Sequence, residues 1–208
     1  MKKAVLGGCL VLASLAAYAD EQTPMMTEQA NYKPFRFIVQ AGLTGGGDKL
    51  ATVETSKGTD KLYAGNLVQL GAGVVFQSQD YPIALQATLN YHVDNRHYKN
   101  GDATFSRFPF EVLGFYQFSP QWRIGAGIRH IGTAKLKLDA DGASESAEYA
   151  GENSSVIELG YAMNDRVWLS GRYVHETLKL QKYNGIDVSR HQLTTDGSHV
   201  GIFMSAQF

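Results

Sequence analysis

His199-Val200-Gly201-Ile202-Phe203-Met204-Ser205-Ala206-Gln207-Phe208 are the last ten of the 208 residues. Successive side chains of an extended strand point to opposite faces, so Val200, Ile202, Met204, Ala206 and Phe208 share one face and Gly201, Ser205 and Gln207 the other. An apolar face this continuous, ending on a phenylalanine, is out of place against water. Its polarity suits a strand with lipid on the apolar side and a polar interior on the other.

The same alternation recurs upstream. Phe35, Phe37, Val39, Ala41 and Leu43 form one face of a first strand, against Arg36, Gln40 and Gly42. A second runs from Leu67 to Phe76, with Val68, Leu70, Ala72, Val74 and Phe76 outward. The third is the cleanest: Ile83, Leu85, Ala87, Leu89, Tyr91 and Val93 oppose Ala84, Gln86, Thr88, Asn90 and His92. The fourth, Phe105 to Phe118, keeps Arg107, Glu111 and Gln117 inward, and Pro109 marks an edge or bulge because proline cannot donate to a ladder. Trp122 to Ile131, Ser154 to Met163 and Val167 to Leu178 are the fifth to seventh, and the C-terminal tail is the eighth.

The connections alternate in length. Gln77 to Pro82, Ser119 to Gln121 and Asn164 to Arg166 are short; Thr44 to Asn66, Asp94 to Thr104, Gly132 to Asn153 and Lys179 to Ser198 are long and read as loops. Short turns on one side and long loops on the other mark membrane barrels, with the short turns periplasmic. A soluble eight-stranded barrel also alternates, but it keeps its apolar face inside. Here the inward set holds Arg36, Arg107, Glu111, Arg123, Arg129, Glu158 and Arg172, too much charge for a soluble core.

At the other end, Met1-Lys2-Lys3 is a positive n-region, Ala4 to about Ala16 is apolar, and Ala17-Tyr18-Ala19 fits small-x-small cleavage. The expected organisation is a signal peptide over 1–19, a periplasmic segment over 20–33 and the barrel over 34–208. Leu6-Gly7-Gly8-Cys9 offers a rival lipoprotein box, but it leaves only about five apolar residues before the cut, short of the roughly 7–15 of an h-region. Cys9 is the only cysteine, so a chain cleaved after Ala19 has no thiol for a disulfide or a metal. The formal charge of −1 gives no basic bias towards nucleic acid. Mean hydropathy is −0.22, which does not exclude a barrel, since only alternate residues face lipid.

An eight-stranded barrel is just wide enough inside for side chains to fill it. Glu111 and Glu158 carry the acidic charge of the mid-strand interior, with Arg129 and Arg172 on strands beside or near them. These four are predicted to form a lumen charge network, more simply a plug than a gated ion path. The six histidines, His92, His97, His130, His175, His191 and His199, cluster towards the long-loop end. His92 and His199 point inward, His97 and His191 sit in loops, and none has metal-motif spacing. No metal or other cofactor is expected. Lys49, Lys57, Lys61, Lys99, Lys135, Lys137 and Lys182 lie towards the outer rim, where ammonium groups could meet lipopolysaccharide phosphates. Acidic neighbours, Asp48, Asp60, Asp94, Asp102, Asp139 and Asp141, make solvated loop charge the simpler reading. Gly45-Gly46-Gly47 has no downstream Lys-Ser/Thr to make a phosphate cradle and reads as flexible.

Strand number, turn asymmetry and terminal phenylalanine together resemble the small eight-stranded outer-membrane proteins, the OmpA-, OmpX- and OmpW-like barrels. The resemblance covers about Phe35 to Phe208 and selects no subfamily. It implies an all-β, eight-stranded antiparallel transmembrane up-and-down barrel in the bacterial outer membrane, with both barrel termini periplasmic. It also implies that Ile202, Met204, Ala206 and Phe208 form the signal read by the barrel-assembly machinery, with periplasmic chaperones as further transient partners. The expected role is structural or surface-interacting through the extracellular loops, against membrane lipid and lipopolysaccharide. Two other roles remain open: a narrow pore or conduit for ions or small hydrophobic molecules, and a lipid A-modifying enzyme. The last is disfavoured because Tyr173-Val174-His175-Glu176 offers no serine beside its histidine.

Overall fold

A computed structural model describes residues 33–55, 58–98, 101–140 and 143–208. The expected signal peptide with its cleavage site, Cys9, most of the periplasmic segment, Lys57 and Lys99 lie outside these residues.

Among the described residues fourteen strands follow in order: β1 (Phe35–Gly46), β2 (Lys49–Thr55), β3 (Gly58–Tyr63), β4 (Leu67–Gln77), β5 (Ile83–Tyr98), β6 (Gly101–Gln117), β7 (Trp122–Ala140), β8 (Ala143–Gly151), β9 (Ser154–Ala162), β10 (Val167–His175), β11 (Thr177–Tyr183), β12 (Ile186–Asp187), β13 (Thr194–Asp196) and β14 (His199–Gln207). Eight of them close a ring, β1-β4-β5-β6-β7-β9-β10-β14 and back to β1, each antiparallel to the next. This is an eight-stranded antiparallel up-and-down barrel. The seam is the pairing of β14 with β1, from Ile38 opposite Gln207 to Gly46 opposite His199. Phe208 extends it: its N–H donates to the Phe37 carbonyl at 2.9 Å and its main-chain oxygen accepts from Phe37 N–H at 3.2 Å. The ring therefore has no unpaired edge, the condition for a sheet in lipid.

The wall has the inside-out polarity of a transmembrane barrel. Phe37, Leu43, Leu85, Leu89, Ile124, Ile128, Ile157 and Leu159 are exposed on its outer face. Aromatic pairs flank this belt: Phe35 with Phe76 at 5.2 Å and Trp122 with Tyr161 at 5.0 Å near the short turns, and Tyr91 with Phe108 at 4.9 Å near the loops. Aromatic girdles at the two boundaries are expected where a ring can be half in lipid and half in water. No helix among the described residues is long and apolar enough to cross a membrane.

The long connections depart from expectation, because most of their length is strand rather than loop. Asp94–Tyr98 continues β5 and pairs with the start of β6; Thr133–Ala140 continues β7 and pairs with β8, which in turn pairs with β11. His97 thus lies in a strand, and His191 in a short 3-10 turn, Ser189–His191. The first long connection is the β2–β3 hairpin, a separate two-stranded sheet. It lies over the barrel mouth, with Leu62 and Ala64 packed among Phe105, Ile131, Ala134, Leu136, Tyr149 and Leu178. A core of this kind is ordinary hydrophobic burial, about 1.5–3 kcal/mol for each large side chain.

A change of phase makes that core possible. Arg123, Arg129 and Ile131 face inward on β7, but so do Ala134 and Leu136, which have the opposite parity. The switch occurs where Pro109 opposes Ile131 and Arg107 opposes Ala134, leaving one more residue on β7 than on β6. This is a β-bulge, the device that re-aims side chains along a strand. Across β7 from it, the break between β8 and β9 at Glu152-Asn153 switches phase in step, since Thr133 opposes Ala150 and Arg129 opposes Ser154.

Gly45-Gly46-Gly47 is not the flexible stretch expected of it. Gly47 has φ +79°, and a Cβ there would come within 2.7 Å of the Gly65 nitrogen and 3.0 Å of the Asp196 carbonyl. The glycine is needed because two backbones pass too close for a side chain.

Candidate functional site: the charged lumen

Inward parity delivers polar side chains from all eight wall strands into one space, and there they form a ladder. Arg123 reaches Glu158 at 3.4 Å; Glu158 meets Arg172 at 2.6 Å; Arg172 meets Glu111 at 2.8 Å; Glu111 meets Arg129 at 2.8 Å. Arg129 continues to Glu176 at 2.9 Å, and Glu176 to Arg107 at 3.0 Å. Guanidinium and carboxylate alternate without a break from the short-turn end to the loop end. The four residues singled out from the sequence, Glu111, Arg129, Glu158 and Arg172, are brought together as its middle.

The ladder is possible because the register places its members side by side. Arg129 lies opposite Glu111 across β6–β7, and Arg172 opposite Glu158 across β9–β10. Arg172 then spans the lumen to Glu111, using the planar fork that lets a guanidinium engage two carboxylates. Amides fill the remaining valences: Gln69 donates to Glu111 at 3.2 Å and accepts from Arg129 at 2.9 Å, while Gln40 accepts from Arg172 at 3.2 Å and donates to Asn90 at 2.6 Å. Glu111, Arg129 and Gln69 each have 0% of their surface accessible. Charges desolvated to this degree persist only when paired and hydrogen-bonded, and removing one partner strands the other.

The upper end of the ladder is tied to the hairpin above it. Arg107 donates to the Ala64 carbonyl, just after β3, as well as engaging Glu176. His92 Nδ1 accepts from Arg107 at 2.9 Å and faces Arg129 Nη2 at 3.3 Å. Its Nε2 lies 3.1 Å from the Asn66 carbonyl and 3.0 Å from the Thr44 hydroxyl. His199 stacks edge-on against it with ring centroids 5.1 Å apart, donating Nδ1–H to the Gly197 carbonyl at 2.8 Å. The two inward histidines are thus fastened to backbone at the base of two connections. His130 and His175 are exposed, bonded to Asn153 and Ser198. Among the described residues no group of three His, Cys, Asp or Glu side chains is placed to hold a metal ion.

Arg107, Arg123 and Glu176 extend the network beyond the four residues expected of it. Each shares their inward parity, and Arg107 and Arg123 already stand in the inward set read from the sequence; parity alone does not say which inward charges meet. Arg172 lies over the Phe203 ring at 4.2 Å, and Arg123 over two rings. The Arg123 guanidinium carbon sits 4.0 Å from the Phe115 ring centroid and 4.2 Å from that of Trp168, a cation between two aromatic faces.

Ile202, Met204, Ala206 and Phe208 do not belong to this site. They lie on the outer face of β14 and its end, where Ile202, Met204 and Phe208 are exposed. Their neighbours across the seam are Leu43, Ala41, Val39 and Phe37.

No family model and no curated protein matches the chain. Among solved structures it is similar to Neisserial surface protein A, with TM-score 0.48 and 10% identity over 85% of this chain and 98% of that one. It is similar also to Ail, the attachment invasion locus protein of Yersinia pestis, with TM-score 0.48 and 11% identity over 84% and 97%. The outer membrane protein AlkL gives 0.41 and 11% over 90% and 96%. At such identities and scores none of these likenesses carries a role over to this chain.

Proposed function

We propose that the protein is an integral outer-membrane barrel with a closed lumen, acting as a structural or surface-interacting protein through the sheet and hairpin above its wall. The observation that supports this reading is the ladder from Arg123 to Arg107, which fills the lumen with mutually paired charge under an apolar cap. A side-chain-filled barrel of eight strands leaves no aqueous channel. In this reading the short turns face the periplasm, both barrel termini lie there, and the strand extensions stand outside the cell. No catalytic step is assigned.

The partners follow from the surfaces. Membrane lipid meets the apolar belt. Exposed Lys135 and Lys137 rise on the outer face of β7 immediately beyond that belt, at the height of anionic headgroups, and support contact with lipopolysaccharide phosphates. The outward row Ile202, Met204, Ala206 and Phe208 supports recognition by the barrel-assembly machinery and periplasmic chaperones during insertion.

Planar-bilayer recording of the purified protein tests the closed lumen. No discrete conductance steps are expected from the native chain. Steady ohmic steps would favour the narrow-pore alternative instead. Adding lipopolysaccharide to the reconstituted barrel is expected to stabilise it, less so after Lys135→Ala with Lys137→Ala; equal stabilisation of both would remove that partner assignment.

A further inference from the structure

The ladder has one more guanidinium than carboxylate, and the weakest contact is at its short-turn end. Glu158 gives both its short contacts, 2.6 and 2.8 Å, to Arg172 and only a 3.4 Å contact to Arg123. Arg123 Nε has no acceptor among the described residues, although the residue is 3% exposed. This buried, under-neutralised cation lines a cavity of about 580 Å³ that opens at the short-turn mouth of the barrel. Phe115 and Trp168, the two rings that clamp Arg123, form part of the same wall. Arg36 adds a second guanidinium at the rim, with no ion-pair partner among the described residues, and Gln117 and Gln207 add amides. Asp165 is the one carboxylate among the lining residues, so the cavity keeps a cationic excess.

We infer that this cavity is a binding site for a small organic monoanion, a carboxylate or sulfonate carrying a planar or short apolar body. The volume is that of a small-molecule site. Polar and apolar groups share the lining: Arg36, Arg123, Gln117 and Gln207 can orient a head group, and Phe115, Trp168 and Met163 offer apolar surface to a body. The guanidinium of Arg123, which Glu158 holds only at 3.4 Å, meets the anionic head, and the two rings packed against it restrict its motion, so little freedom is lost when a ligand binds. The indole and phenyl edges meet the body. The site lies at the opposite end of the barrel from the cap, and its chemistry does not depend on which membrane face it opens to.

The chain has two tryptophans, Trp168 in the cavity and Trp122 on the lipid belt, so each reports on one location. The experiment titrates 2-naphthoate against the protein in lipid nanodiscs and follows both indole N–H resonances. A saturable shift of Trp168 with Trp122 unmoved is expected. Naphthalene, which keeps the body and lacks the charge, and acetate, which keeps the charge and lacks the body, are each expected to bind far more weakly. Arg123→Met is expected to weaken naphthoate about tenfold or more, the loss that goes with a charge-assisted hydrogen bond. Arg36→Gln, at a half-exposed position outside the ladder, is expected to weaken it about threefold without touching the fold. Absence of a saturable Trp168 shift, a matching shift at Trp122, equal binding of naphthalene, or an unchanged affinity in Arg36→Gln together with any folded Arg123→Met protein would overturn the assignment. If Arg123→Met fails to fold, Arg36→Gln alone decides it, and an unchanged affinity there would refute the site.

Discussion

The two halves of β7 obey opposite rules. From Trp122 to Arg129 the strand turns Trp122, Ile124 and Ile128 outward and Arg123 and Arg129 inward. From Thr133 to Asp139 it turns Lys135, Lys137 and Asp139 outward and Ala134 and Leu136 inward. One added residue at the bulge separates them. The lower half belongs to a barrel whose solvent is lipid, so its polar groups must find one another inside; the upper half belongs to a sheet whose solvent is water, so its apolar groups do. Stability below therefore rests on pairing of charges, and stability above on burial of carbon. The ladder and the apolar core meet at Arg107 and His92, which hold the hairpin's backbone from below.

That contrast can be broken from either side. The largest effect is expected from Glu111→Ala, which takes a carboxylate from both Arg129 and Arg172 and leaves Glu158 and Glu176 to neutralise four buried guanidiniums, at a cost of about 3–5 kcal/mol. Urea unfolding of the barrel in lipid vesicles measures it; a loss under 1 kcal/mol would mean that water reaches the ladder. Next is Ile128→Lys, which puts a charge on the lipid face and is expected to cost about 2–4 kcal/mol, whereas Lys135→Leu, a few residues further up the same strand, is expected to be near neutral. Leu136→Ala is expected to cost about 2–3 kcal/mol, but only in the extension: the hairpin should become protease-sensitive while the barrel keeps its folded gel mobility. Deleting Phe208 removes the two backbone hydrogen bonds to Phe37, worth about 1–3 kcal/mol together, and outer-membrane levels are expected to fall in cell fractionation. The smallest is Lys182→Ala, where a half-exposed 3.4 Å pair with Glu148 contributes below about 0.5 kcal/mol.

The wall was legible because lipid enforces strict alternation: the residues assigned outward on the first three strands and the last are those found on the outer face. The inward placement of Glu111, Arg129, Glu158 and Arg172 was legible from parity, which Arg107, Arg123 and Glu176 share. Their partners were not, because which guanidinium crosses to which carboxylate depends on register and strand stagger. The extensions were harder. Ala134-Lys135-Leu136-Lys137-Leu138-Asp139 alternates as cleanly as any wall strand, yet a long connection invites a loop assignment. Asn184-Gly185, at φ +47° and +79°, makes the two-residue turn between β11 and β12 and is a strong local hairpin signal. What hides the extension is the bulge, which shifts the apolar residues to the other parity and so breaks the pattern at Gly132.

The most direct test of this inversion is nitroxide accessibility along β7, with single cysteines placed in turn at Ile124, Ile128, Lys135 and Lys137 of the protein in lipid vesicles. Collisions with oxygen should dominate at Ile124 and Ile128, and collisions with a water-soluble nickel chelate at Lys135 and Lys137, the change falling at the bulge. Equal nickel accessibility at all four sites, or oxygen-dominated collisions extending to Lys137, would contradict a barrel that turns from inside-out to ordinary polarity within one strand.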